Sequence, residues 1–248
     1  MKHQKLFKSN LWLLMIALFG MTFSTACNED DDSETITVSV DDAAELVAFS
    51  IANTTYGLVY NLDYVAANVL EEINCNESKS NTSTISESVV DEQITLNSEI
   101  AEEYSMTCDS GEVVNYSFDT DQRFTSVRFD YDQVIDGTWT IGGVEESSAS
   151  YIYNGSYDRN GEWTYNLRDK HTDNITYSSV LDQLMADKDS GRITSGTATF
   201  SIMGTSTVYD DYDYAGDVEF KGSDMAIITF QTGEQYEFNL ETGEIDPI

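Results

Sequence analysis

The sequence predicts an α+β protein that is mostly β: two N-terminal helices packed on a long, curved antiparallel β-meander. Three observations carry this. Apolar residues recur at helical spacing only between Ala43 and Ile73. Beyond Cys75 the chain turns rich in Ser, Thr, Val, Ile and Tyr, in short alternating runs divided by turn residues. The single proline, Pro247, stands at the very end, so nothing blocks ladder hydrogen bonds through the sheet. Helices first and strands after imply helices segregated to one side of the sheet. A β-sandwich or a single-layer sheet is the alternative arrangement.

The chain opens with Lys2, Lys5 and Lys8, then an apolar run from Leu11 to Phe23. That run is shorter than the roughly 20 apolar residues a spanning helix needs. A basic flank, a short apolar stretch and small residues at its end mark a cleaved export signal. The stretch ends Ser24-Thr25-Ala26-Cys27 and is similar to the lipobox of bacterial lipoproteins, although Ser24 stands where Leu is usual. The resemblance implies a thioether-linked diacylglycerol on Cys27. Acyl chains at about 0.8 kcal/mol per buried methylene would hold the protein on a membrane. The following Asn28-Glu29-Asp30-Asp31-Asp32 resembles the signal that sends lipoproteins of Bacteroidetes-type bacteria to the outer face of the outer membrane. A solvated linker kept extended by its charges is the other reading. The expected organisation is a signal peptide over 1–26, a lipidated acidic tether over 27–40 and one α+β domain over 41–248.

Two helices are expected. Asp42 followed by Glu45 reads as a capping-box-like start, with carboxylates at the positive helix end, before the apolar face Ala43, Leu46, Val47, Ile51. Leu58, Leu62, Val65, Val69 and Ile73 then predict a second helix over 57–73. Strands are expected at 82–90, 99–107, 112–119, 124–131 and 137–144. Further ones follow at 149–159 and 162–167 about an Asn160-Gly161 hairpin, and at 172–185 and 192–203 about Asp187–Gly191. The last three are 208–221, 225–231 and 234–240, with Thr232-Gly233 as a hairpin. Ala198, Phe200 and Ile202 alternate with polar residues, as do Tyr236, Phe238 and Leu240, giving one apolar and one wet face.

Cys75 and Cys108 remain as a pair in an oxidising compartment, where a disulfide is the default. A metal pair or a nucleophile is weakly supported: no CxxC spacing exists, and His171 is the one histidine beyond the leader.

Several segments together resemble uncharacterised surface lipoproteins of Bacteroidetes-type bacteria. They are Tyr153-Asn154-Gly155-Ser156-Tyr157-Asp158-Arg159-Asn160-Gly161, the turn and strand from Asp187 to Ala198, and the ending from Val218-Glu219-Phe220-Lys221-Gly222 to Tyr236–Glu244. The resemblance spans most of 42–244. It implies location and fold, and it brings no activity and no catalytic residues.

The formal charge of −33 grows three units more negative once the three leader lysines are removed. Such a polyanion repels phosphate backbones, which disfavours nucleic acid. It also repels anionic lipid heads, so membrane contact is expected through the lipid on Cys27, and it attracts cations and basic partners. With 40% apolar and 12% aromatic residues the chain can build a real core.

Chemistry is sparse. A Ser-His-Asp triad would depend on His171, which reads as a solvent-exposed turn histidine. Zinc ligands are missing and no cofactor is expected. Asp187 and Asp189 resemble the start of a calcium loop, but no Glu closes it. The clusters Asp210, Asp211, Asp213 and Asp130, Asp132, Asp136 read as solvated hairpin tips. With 45 acidic residues some carboxylate pair will stand at glycosidase spacing by chance. Tyr151, Tyr153 and Tyr157, or Tyr212 and Tyr214, could stack on sugar rings; cross-strand core packing is their commoner use. The expected function is a non-catalytic cell-surface lipoprotein that binds or scaffolds an extracellular protein or glycan. The alternatives are an extracellular polysaccharide-acting enzyme and a glycan- or apolar-ligand-binding protein.

Overall fold

The computed structural model describes residues 37–70, 73–89, 94–109, 111–127, 129–166 and 170–248. Among the described residues it has the expected α+β, mostly β architecture: two α-helices, the second continued by a π-helical turn, and one antiparallel sheet of eleven strands in sequence order.

Helix α1 spans Val40–Ile51. Its capping box lies one turn earlier than Asp42 and Glu45 suggested. The Ser39 hydroxyl accepts from the Asp42 N–H at 3.1 Å, and the Asp42 carboxylate takes the Ser39 N–H at 3.2 Å. Ser39 can be satisfied reciprocally, so it is the cap and Asp42 is the third helical residue. Gly57 starts α2, Leu58–Val65. A Cβ at Gly57 would lie 2.6 Å from the Ser50 carbonyl, so only glycine lets α2 begin this close to the end of α1.

The second helix is shorter than the expected 57–73. Its α-helical part gives way to a π-helical turn over Ala66–Leu70. Asn68 Nδ2 there donates to the Tyr64 carbonyl at 2.8 Å. Ile73 is buried beyond the helix. The periodicity correctly picked the buried face, Leu58, Leu62, Val65 and Val69, but not the change of helix type.

The strands are β1 Ser78–Val89, β2 Ile94–Thr107, β3 Val113–Thr125, β4 Phe129–Gly142, β5 Ser150–Tyr165 and β6 Thr172–Asp187. They continue with β7 Ile193–Ser206, β8 Tyr212–Gly222, β9 Met225–Phe230, β10 Gln235–Asn239 and β11 Ile245–Pro247. Along β2, β3, β4 and β10 alternate residues are buried, while register shifts in the β5–β6 and β6–β7 pairs interrupt the alternation; the buried apolar residues of the strands form one core with those of the helices.

The helix corner shows that the sheet curls. Tyr56 donates its hydroxyl to Glu87 on β1, while Asn53 and Thr54 donate their N–H groups to the carbonyls of Leu240 and Glu241, just past β10. In a flat sheet β1 and β10 would stand about 43 Å apart at 4.8 Å per strand. They meet one short corner, so the sheet wraps the helical pair. It stays open, with β1 and β11 as its edges.

Two strand expectations fail. Asn160-Gly161 is no hairpin; it lies inside β5, where Asn160 faces Val134 on β4 and Thr176 on β6. Neither residue has the positive φ a type I′ turn requires. Gly161 is there because β4 runs too close for a side chain: a Cβ would meet Gln133 at 2.5 Å. Conversely, the expected strand at 124–131 contains a hairpin. The Ser126 hydroxyl and N–H both bond the Phe129 carbonyl, at 2.7 and 3.1 Å, and close the β3–β4 turn.

The turns at Asp187–Gly191 and Thr232-Gly233 stand as expected, and Gly233 takes a φ of 106°. Strand β11 was not anticipated. Pro247 pairs there with Tyr236 on the outermost strand, where a missing N–H costs no ladder bond. Cys75 and Cys108 form a disulfide with Cα atoms 5.7 Å apart, stapling the entry of β1 to the exit of β2.

Candidate functional site

The inner face of the sheet is filled. Trp139, Tyr153, Tyr157, Tyr177, Phe230 and Phe238 are each under 2% exposed. The tyrosines that could have offered a sugar platform are therefore mostly core: Tyr153 and Tyr157 are fully buried, Tyr212 is buried, and Tyr214 donates to the Val38 carbonyl at 2.6 Å.

A polar chain crosses this core. Tyr131 and Gln133 both donate to the Gln122 side-chain oxygen at 2.9 Å. Arg159 donates Nε to Gln133 at 3.3 Å and Nη1 to the Phe49 carbonyl at 3.1 Å. Its guanidinium lies 5.5 Å from the ring centres of both Tyr131 and Trp163. Arg159 is 2% exposed, and among the described residues no carboxylate lies within ion-pair distance of it. Helix α1 has no basic residue in its last turn, so Arg159 supplies from the sheet the cation that the helix's negative end favours. Burial pushes the Tyr131 hydroxyl well up, against the pull of Arg159.

Sequence reading missed this group. Arg159 follows Tyr153 and Tyr157 in the inward phase of β5, and Trp163 follows it. The false hairpin at Asn160-Gly161 broke that alternation just where it would have pointed to a buried arginine.

Three carboxyls hold their protons more tightly than usual. Asp63 on α2 is pushed up to about 6 by burial and then by Glu241. Asp136 on the outer face of β4 is raised by burial, then by Asp158 and Asp119. Asp173 on β6 is raised by burial, against the hydrogen bond from Ser206 and the pull of His171. They sit on different elements with different neighbours.

His171 is not the exposed turn residue expected. Its side chain is 13% exposed, stacked on Tyr165 at 4.3 Å and met edge-on by Tyr209 at 5.2 Å. Its Nε2 lies 3.7 Å from the Asp173 carboxylate. The β5–β6 hairpin causes this: Tyr165 donates its N–H to the His171 carbonyl, so the two rings must lie side by side.

The outer face of β1–β4 carries two open, adjoining grooves of about 570 and 510 Å³. Ser80, Thr82, Glu103, Ser117, Asp119 and Asp136 line the larger. Asp119, Asp136 and Asp158 stand directly opposite one another across β3, β4 and β5. Like charges so placed repel. Hydroxyls and carboxylates project from the larger groove beside nearly as much apolar surface, so it suits a hydrated or cationic partner.

Other predicted residues are placed as follows. Cys27 and the acidic tether at 28–32 lie outside the described residues. Asp187 accepts from both the N–H and the hydroxyl of Ser190, at 2.9 and 2.7 Å, and these bonds lower its pKa; Asp189 is exposed on the same turn. Asp132 pairs with Arg123, and Asp130 accepts from the Ser126 N–H. Asp210, Asp211 and Asp213 are exposed. Glu112 lies beside Cys75 and Cys108 in the one group of metal-type ligands found among the described residues, but both sulfurs are taken by the bridge.

Comparison with known proteins finds no counterpart: no family model, curated protein or solved structure matches the chain.

Proposed function

We propose that this chain is a lipid-anchored, non-catalytic protein of the outer membrane, displayed at the cell surface, that binds or scaffolds an extracellular partner through the outer face of its sheet. One observation carries the reading: the concave side, where a curved sheet would keep a substrate or an apolar ligand, is packed with aromatic side chains under 2% exposed. The open, polar grooves over β1–β4 are then the surface left for a partner. A strongly negative chain favours one that is cationic or richly hydroxylated. The lipobox-like run ending at Cys27 and the acidic stretch behind it support the anchor and the outward display.

The test is fractionation of cells carrying wild type or Cys27→Ser, with external protease added to intact cells. Wild type should partition with outer membranes and be shaved by the protease, and the variant should be released. A variant that stays membrane-bound removes the anchor. A membrane-bound wild type that resists external protease, yet is cleaved in broken cells, removes the surface display.

A further inference from the structure

The sheet's two edges differ in kind. Strand β11 is three residues long and contains Pro247, which offers no N–H, so that edge is blunted. Strand β1 runs twelve residues without proline or glycine, and its register against β2 has no bulge. Among the described residues no strand pairs with its far side, and none of its described side chains is buried. A long, regular edge presents a row of N–H and C=O groups that template pairing with another chain; proteins that must avoid such pairing shorten, bulge, cover or charge it, and β1 carries only one charge of each sign.

The side chains of β1 say which chain would pair. Lys79 and Glu87 are its only charged residues, so the strand carries no net charge in a protein of −33. Within one copy Lys79 pairs with Glu77 and Glu87 accepts from Tyr56, so a second copy would exchange these contacts for pairs across the edge. Lys79 and Glu87 also stand four positions to either side of Ser83. In an antiparallel pair centred on Ser83, Lys79 of each copy falls opposite Glu87 of the other. The outward row, Ser78, Ser80, Thr82, Thr84, Ser86 and Ser88, then matches hydroxyl to hydroxyl: Ser78 to Ser88, Ser80 to Ser86, Thr82 to Thr84. Opposed charges and paired hydroxyls are the cross-strand contacts that stabilise antiparallel ladders. A symmetric pairing of this kind is also self-limiting, because it uses up the edge of both copies.

We propose that β1 is a self-association edge, and that two copies of this chain pair through it, antiparallel about Ser83, into one continuous sheet. This goes beyond the anchoring and binding role and does not depend on it.

The test is disulfide trapping in whole cells expressing the full chain, wherever in the cell it resides. On the two-fold axis, Ser83 of each copy lies about 4.5–5.5 Å from its counterpart, within reach of a disulfide. Ser83→Cys should therefore give a covalent dimer under mild oxidation. Ser86→Cys should give none, because its counterpart would be about 20 Å away. Adding Lys79→Glu to the Ser83→Cys chain should cut the dimer yield about ten-fold, since it sets like charges opposite each other twice. Adding Glu87→Lys as well should restore it.

A folded Ser83→Cys chain that stays monomeric overturns the proposal. So does cross-linking of Ser83→Cys and Ser86→Cys to equal extent, or an unchanged yield with Lys79→Glu. Ser83 also bonds Tyr64; should its replacement disturb folding, sedimentation of the wild-type chain decides, and a monomer at every concentration overturns the proposal.

Discussion

The Arg159 guanidinium and the Phe49 carbonyl meet at 3.1 Å across the interface between sheet and helices. The cation closes the negative end of α1 from the middle of β5, where α1 itself has no basic residue. Two rings and one glutamine hold the guanidinium in place.

Arg159→Ala should destabilise the fold by about 3 kcal/mol, because it opens a cavity between Tyr131 and Trp163 and strips Gln133 of a donor. Arg159→Met keeps the volume and removes a buried unpaired charge, so it should cost less than half as much. Urea unfolding of both variants checks the ordering.

The Cys75–Cys108 bridge closes a separation of 33 residues. Its loss in the double Ser variant should cost about 3–4 kcal/mol in the chain-entropy model, read as a lower Tm. Thiol labelling of the unfolded, unreduced wild-type chain should find neither Cys75 nor Cys108 free.

Asp63 binds its proton more tightly folded than unfolded, with a pKa of about 6. The folded state is therefore favoured at low pH, and that advantage disappears as the pH climbs from the ordinary carboxyl range through about 6. Asp63→Asn should raise stability at pH 7.5 by on the order of 1 kcal/mol, allowing for solvent screening of a partly exposed group. It should change nothing below about pH 4. Denaturant midpoints across pH 3.5–8 measure this.

Asp136 is flanked by Asp119 and Asp158 on the neighbouring strands. Asp136→Asn should relieve that repulsion and stabilise the protein by a few tenths of a kcal/mol at neutral pH. The gain should shrink as salt is added, and thermal melts at low and high ionic strength read it.

Gly161→Ala should destabilise by about 1–3 kcal/mol, because the new methyl meets the β4 backbone.

The fold class could be read because its signals are local. The step of Leu58, Leu62, Val65 and Val69 and the alternation of Ala198, Phe200 and Ile202 both mark the face that the structure buries. Asn160-Gly161 misled because a dipeptide cannot report that β4 and β6 extend past it on both sides. Local pattern is also silent on curvature and on the internal polar chain, since Gln122, Gln133 and Arg159 become neighbours only when three strands align. Outer-face grooves arise in the same way, from residues distant in sequence. The cysteine pair was legible because only two cysteines remained once Cys27 was assigned to lipid.

The first helix docks on the last strands. Tyr236 hydrogen-bonds Asp41, and Leu240 takes the Asn53 N–H. Neighbouring strands can zip up one hairpin at a time, but the helical pair has no complete seat until the carboxyl end is present. A copy clipped ahead of β10 would therefore keep an unfilled seat for its helices and a half-built, sticky interior, the form that proteases would meet first.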